Sequence, residues 1–236
     1  TAGSSASQTR CPRTARRAMA MALDRLFLPK GIVNASRALG KRTHISPAMS
    51  DHRPSRFAPD FLLDRLLYRD GLVLVVDKPA GLPVHAGPKG GPHLEQCLEP
   101  LRFGLPQLPH LAHRLDRDTS GCLVLGRHAK ALRRLGLLFA GGRVDKVYWA
   151  VVEGHLDAAV CTIDRPLQKR STKLKGWWME AAPDGLGQAA VTEVRLLEHG
   201  SDWSLVECRP LTGRTHQLRV HLALLGHPIR GDAVYG

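Results

Sequence analysis

Leu72-Val73-Leu74-Val75-Val76 is a continuous apolar run with β-branched members. Asp70-Gly71 precedes it and Asp77-Lys78-Pro79 follows, so it predicts a buried strand of limited length. Leu62 to Tyr68 leads into that turn. Pro79, Gly81 and Pro83 then predict a stiff loop ending at His85, and Gly87 to Pro92 continues it. Leu94 to Leu101 predicts a short helix. Cys122 to Leu125 predicts a second buried strand. Ala129 to Phe139 has helical periodicity, with Leu132, Leu135, Leu138 and Phe139 on one face and Lys130, Arg133 and Arg134 on the other. Gly141-Gly142 ends it.

Lys146 to Gly154 is rich in β-branched and aromatic residues and predicts a strand, with Tyr148, Ala150 and Val152 sharing a face. Residues 157 to 187 read as loop-rich and basic. There Lys169, Arg170, Lys173 and Lys175 precede Trp177-Trp178, a composition suited either to stacking on bases or to a hairpin with exposed lysines. Residues 188 to 198 and 203 to 211 predict a hairpin about Gly200-Ser201-Asp202. A last helix is expected from about Arg214 to Leu225, capped by Thr212 or Gly213 and stopped by Gly226 and Pro228. His216 and Arg219, three apart, project together on it. His216 and His221, five apart, do not, which argues against a metal site there.

Composition changes this picture in one respect. The chain has 236 residues and a formal charge of +13, which calls for a polyanionic partner, nucleic acid first and an anionic membrane surface second. Residues 1 to 60 hold eleven Lys and Arg against three Asp and Glu and carry most of that excess. Their Ser, Ala, Arg and Pro content, without periodicity, predicts a basic, disordered extension ahead of a domain at 61–236. It is either a solvated tail or an RNA-gripping arm, unless the natural start is Met49. No apolar run is long enough for a membrane span. The five cysteines are scattered and form no C-x-x-C, as expected of reduced thiols in a cytoplasmic protein. The chain ends at Tyr235-Gly236 without a clear cap, and a domain incomplete at its C-terminus is expected.

Candidate chemistry concentrates in His113-Arg114-Leu115-Asp116-Arg117-Asp118-Thr119-Ser120-Gly121. Asp and Arg are rarely buried unless paired, so charge this dense before an apolar strand is either a solvated turn or a site. A phosphate-binding loop is excluded, because no Gly-Lys-Ser/Thr ending is present. A glycosidase-like hydrolase using Asp116 and Asp118 is disfavoured, since residues two apart stand too close for that carboxylate pair.

Four blocks together carry a resemblance. HRLDRDTSG (His113 to Gly121), VVDKPAGLPVH (Val75 to His85), KVYWAVVEG (Lys146 to Gly154) and LTGRTHQLRVHLALLGHPIRGD (Leu211 to Asp232) resemble, in order, motifs of the RluA-type RNA pseudouridine synthases. Asp77 stands where that family usually has Asn. The resemblance implies an α+β catalytic domain on a mixed, largely antiparallel sheet with flanking helices. It implies isomerisation of uridine to pseudouridine in tRNA or large-subunit rRNA, with the base flipped out of its stack. Asp116 matches the catalytic aspartate, as nucleophile or as base in a glycal route. Arg219 matches its arginine partner, and Tyr148 the tyrosine that stacks on uracil and helps remove the C5 proton. Arg114 matches a residue that takes the everted nucleotide's place. His113 shapes the loop or touches RNA, Asp118 stabilises the loop, and Arg214 and His216 are structural or contact phosphate. Neither metal nor organic cofactor is expected, and a monomer is. No S4-type RNA-binding domain is recognisable, Leu23 to Gly40 being too short. A catalytically silent RNA-binding relative is the alternative, against which the presence of Asp116, Tyr148 and Arg219 weighs.

Overall fold

The computed structural model describes residues 60–236 apart from 88, 89, 173, 175 and 184. The basic N-terminal segment, Met49 and the lysines at 173 and 175 therefore lie outside the described residues.

The first sheet has the order β1-β2-β4-β3, formed by Leu66–Arg69 (β1), Val73–Lys78 (β2), His110–Leu111 (β3) and Gly121–Gly126 (β4). Its pairings are all antiparallel. Val73 to Val76 are at most 1% exposed, so the continuous apolar run is covered on both faces as its composition demands. Leu74, Val76, Leu123 and Leu125 meet Leu62, Leu82, Val84, Leu94, Leu101 and Leu115 in the first core. The expected helix at 94–101 is instead two 3-10 turns, Leu94–Cys97 and Glu99–Arg102. Pro100 has no N–H to continue a helix and disfavours helical backbone at the residue before it.

Helix α1, Ala129–Ala140, begins where the His128 side chain accepts from the Ala131 N–H, and it buries Ala131 and Leu135. It lies close against β4 because Gly126 has no side chain. A Cβ there would sit 2.9 Å from the backbone N and Cα of Leu132.

The second sheet has the order β5-β10-β9-β6, formed by Tyr148–Glu153 (β5), Val160–Asp164 (β6), Val191–His199 (β9) and Trp203–Pro210 (β10). Helix α2, Gln217–Leu224, contributes Leu222 to its core with Val152, Ile163, Val194, Val206 and Cys208. Tyr148 packs against both this core and the first one, and so stands between the two sheets. The chain after α2 returns along β5, with Glu153 N–H donating to the Pro228 carbonyl and Arg230 N–H to that of Val151. That return sets where Asp232 and Tyr235 lie.

The stretch 157–187 is not mainly loop. It holds β6 and the antiparallel hairpin Leu167–Thr172 (β7) with Gly176–Ala181 (β8). In the strands of that hairpin only Leu167 and Met179 are buried, so no apolar alternation marks them. The last helix starts three residues later than expected. His216, left-handed at φ +53°, interrupts helical backbone just before it. Buried Gln217 ties down the preceding turn: its Oε1 accepts from the Thr212 hydroxyl and the Arg214 N–H, and its amide donates to the Val191 carbonyl and Thr192. His221 is a buried structural residue, bonded to Thr192 Oγ1 and to the Arg165 carbonyl. Cys97, Cys122, Cys161 and Cys208 are free thiols. No helix among the described residues is long and apolar enough to cross a membrane.

Gly126→Ala forces α1 away from β4, because the obstacle is backbone. We expect a loss of about 1–3 kcal/mol in urea unfolding. A loss within about 0.5 kcal/mol, the usual range of surface substitutions, would show that the helix shifts freely.

Candidate active site

The loop between β3 and β4 is pinned from below. Leu115 is 6% exposed in the first core, which directs its neighbours Arg114 and Asp116 outward. The Thr119 N–H donates to the Asp116 carbonyl, closing a turn. Beneath that turn lies Lys78, at the end of β2 and 0% exposed. Its ammonium donates to the carbonyls of Pro79 (2.8 Å), Leu82 (2.7 Å) and Arg117 (3.0 Å). The Gly81 N–H also donates to the Arg117 carbonyl. Three N–H groups thus meet three acceptors, tying the stiff Pro/Gly loop to the Asp116 loop. Burial pushes the Lys78 pKa down to about 8, against the carboxylates of Asp118 and Asp116, which draw it up.

Asp116 Oδ2 lies 4.0 Å from Arg219 Nη1 and 4.0 Å from His216 Nε2. The two donors approach the same carboxylate oxygen. The expected Arg219–Asp116 pair is therefore present as an ion contact, but the closest partner of Arg219 is Asp232. Arg219 Nε and Nη2 donate to Asp232 Oδ2 and Oδ1 at 2.6 and 2.8 Å, a bidentate fork. Asp232 Oδ1 also accepts the N–H groups of Val234 and Tyr235. Its side chain is 5% exposed. Burial alone would raise this carboxyl, but the fork and the two backbone donors outweigh it and hold the pKa at about 2. The Arg219 guanidinium also lies over the Tyr235 ring, 4.8 Å from its centroid.

Tyr148 enters from β5. Burial raises its phenol pKa and the Asp116 charge raises it further. His216 precedes α2 with φ +53°, in the left-handed region. Arg114 is exposed beside these groups, and its charge reaches His216. Arg214 Nε donates to the Ala189 carbonyl. His113 has partners within the fold: its Nε2 accepts the Val124 N–H and its ring stacks on Phe139 at 4.6 Å. Burial pushes its pKa down to about 4, so it is neutral. Asp118 is exposed and clasped by Arg117. The motifs by themselves assign no role to Lys78, Asp232 or Tyr235, which lie within the motif blocks or just after the last one, and they offer Trp177 only as a surface for stacking on bases or a member of a hairpin. Asp77, the departure from the family pattern, pairs with Arg65 at 3.5 Å.

The family model described as RNA pseudouridylate synthase matches residues 72–224, which include the Asp116 loop, Tyr148 and Arg219. The chain belongs to the RNA pseudouridylate synthase family. Within this family it is 48% identical over 176 residues to an uncharacterised RNA pseudouridine synthase of Zymomonas mobilis subsp. mobilis, covering 74% of this chain and 80% of that one. It is 39% identical over 173 residues to the ribosomal large subunit pseudouridine synthase C of Vibrio cholerae, covering 72% of this chain and 52% of that one. Such relatives mark the RluA type of pseudouridine synthase. The chain thus spans most of the first relative and about half of the second. Among solved structures, human RNA pseudouridylate synthase domain containing 1 superposes with a TM-score of 0.64 at 30% identity, over 80% of this chain and 73% of that one. The fold is that of a single α+β pseudouridine synthase domain.

Two variants test how this synthase site is held. Lys78→Met leaves the Pro79 and Leu82 carbonyls without this donor and the Arg117 carbonyl with the Gly81 N–H alone, and we expect a loss of at least about 2 kcal/mol in thermal or urea unfolding. Wild-type stability in that variant would mean that the carbonyls find other donors. Asp232 has a carboxyl pKa of 3.8 unfolded and about 2 folded. It stabilises fully above the unfolded value, and the contribution is lost as pH falls through the folded one. Asp232→Asn should therefore be less stable by about 2 kcal/mol at neutral pH, and the gap should narrow from about pH 4 towards pH 2. A gap independent of pH would assign the loss to packing instead of charge.

Proposed function

We propose that this protein converts uridine to pseudouridine in structured RNA of the cytoplasm, tRNA or large-subunit rRNA, with Asp116 as the catalytic group. One observation carries the reading. A carboxylate on a loop pinned from beneath meets a guanidinium from α2 and an imidazole from the turn before it, and its charge reaches the phenol that β5 places between the two sheets.

The reaction breaks the C1′–N1 bond, turns the base and joins C1′ to C5. The C5 proton leaves and N1 gains one, so no atom is gained or lost overall. Asp116 acts at C1′ as nucleophile, or removes a sugar proton in a glycal route. The Arg219 guanidinium, 4.0 Å away, orients the carboxylate. Tyr148, buried at the join of the two sheets, supplies an aromatic surface for the uracil and a phenol near C5. A base inside a helix cannot reach a group at this depth, so the uridine must be everted, and exposed Arg114 takes its place in the stack. Arg214 contacts backbone phosphate with the part of its guanidinium not committed to Ala189, and His113 shapes the loop. The relatives' names support the RNA class, as does the positive charge.

The rival hydrolase is disfavoured because Asp118 is held by Arg117 at the surface. It would release free uracil, whereas isomerisation leaves RNA mass unchanged.

Asp116→Asn keeps the size and loses the charge. We expect no detectable pseudouridine in RNA from cells lacking the gene, with RNA affinity within about tenfold of wild type. Substantial residual conversion would remove Asp116 from the chemistry, and its loss together with RNA binding would make it a binding residue.

A further inference from the structure

His216 is the residue whose environment the reading above does not use. Its backbone is left-handed at φ +53°, which a side-chain-bearing residue adopts at a cost and keeps only when its surroundings impose it. Those surroundings are specific. Its ring stacks on Trp177 of β8, with centroids 5.2 Å apart and planes 28° from parallel. Lys169 of β7 lies over the Trp177 ring in turn. Tyr235 meets the imidazole edge-on, and its hydroxyl is 2.8 Å from His216 Nδ1. The side chain is 17% exposed.

The hydrogen bonds give the ring a direction. Tyr235 Oη accepts the Met179 N–H at 3.0 Å, so its own proton is available to His216 Nδ1. An imidazole that accepts at Nδ1 carries its proton at Nε2. Nε2 is the atom that faces Asp116 Oδ2 at 4.0 Å. Both ring nitrogens are thus committed inward, and neither is left for a phosphate.

We infer that His216 is a positioning residue for the Asp116 carboxylate, its tautomer set by Tyr235 and its ring braced by Trp177. In this arrangement Nε2–H and Arg219 hold Oδ2 between them and orient the carboxylate towards the sugar. Catalytic hydrogen bonds that are long in a free enzyme close when substrate binds, and the 4.0 Å contact is of that kind. A neutral imidazole suits the place. Burial lowers the His216 pKa, Asp116 opposes that, Arg219 lowers it, Asp232 raises it and Arg114 lowers it again. An N–H donor without a charge orients Asp116 without repelling the two arginines. The Trp177–His216 contact also couples the β7–β8 hairpin to the reacting group. This inference rests on the assignment of Asp116 as the catalytic group.

The test is single-turnover pseudouridine formation, with enzyme in excess, on RNA isolated from cells lacking the gene. Binding to the same RNA is measured in parallel. For His216→Ala we expect the saturated rate to fall about 30-fold with RNA affinity within about threefold. His216→Gln, whose amide N–H can reach towards Asp116, should recover at least about tenfold of that loss. Tyr235→Phe keeps the ring and frees the tautomer, and its rate should fall between the two. A full rate at saturating enzyme with weakened binding would make His216 a phosphate contact and overturn the inference. So would equal rates for the Ala and Gln variants. If His216→Ala does not fold, Tyr235→Phe decides, and a wild-type rate there overturns it. An inactive wild-type protein, or an active Asp116→Asn, removes the functional reading itself, a result distinct from any of these.

Discussion

The ammonium of Lys78 is the contact on which the site depends. A cation with no exposed surface is costly unless every N–H is used, and here each one meets a carbonyl. The three carbonyls belong to two loops 39 residues apart in the chain. Neither loop has regular structure to hold it. Joined through one ammonium, they form a floor on which the Asp116 turn has a single position. Leu115 adds an apolar anchor to the same turn. A carboxylate is thereby set at the surface of a rigid core while the backbone beneath it stays satisfied.

Above that floor, charges are arranged by degree of commitment. Arg219 is bound tightly to Asp232 and only loosely to Asp116. The fork fixes the guanidinium in place, and the remaining Nη1 is offered to the Asp116 carboxylate. Had Asp116 been the bidentate partner, its oxygens would have been occupied by the arginine. Assigning that task to Asp232 leaves the Asp116 oxygens unoccupied by the fork and accessible. The return of the chain along β5 after α2 delivers Asp232 and Tyr235 to this place. The end of the described chain is therefore part of the site's construction.

Much of the fold was legible where burial acts on consecutive residues. The Leu72 to Val76 run, the Cys122 to Leu125 run, the face of Tyr148, Ala150 and Val152, and the stripe of α1 all follow from periodicity. Reading failed where a single residue outweighs the pattern. Pro100 broke one expected helix into two turns. His216, with left-handed backbone, moved the start of α2 to the residue after it. For the β7–β8 segment the sequence leaves base stacking and a hairpin with exposed lysines equally open, because its few buried residues are separated by charge, and the fold has the hairpin.

By itself the sequence determined the strands and helices with continuous or periodic apolar faces, the positive charge and the motif blocks that name Asp116, Tyr148 and Arg219. Those are properties of neighbouring residues, and local order records them. Only the tertiary structure decided which groups meet: Lys78 under Arg117, Asp232 on Arg219, Tyr235 and Trp177 on His216. Each of those contacts joins segments far apart in the chain, and the strength of a charge or hydrogen bond depends on the burial and geometry found there. His216 shows the difference most sharply. The sequence places it on one helix with Arg219, and the two do face the same Asp116 oxygen, but not through helical spacing. The fold then took it out of the helix, turned its backbone left-handed and aimed one nitrogen at Asp116.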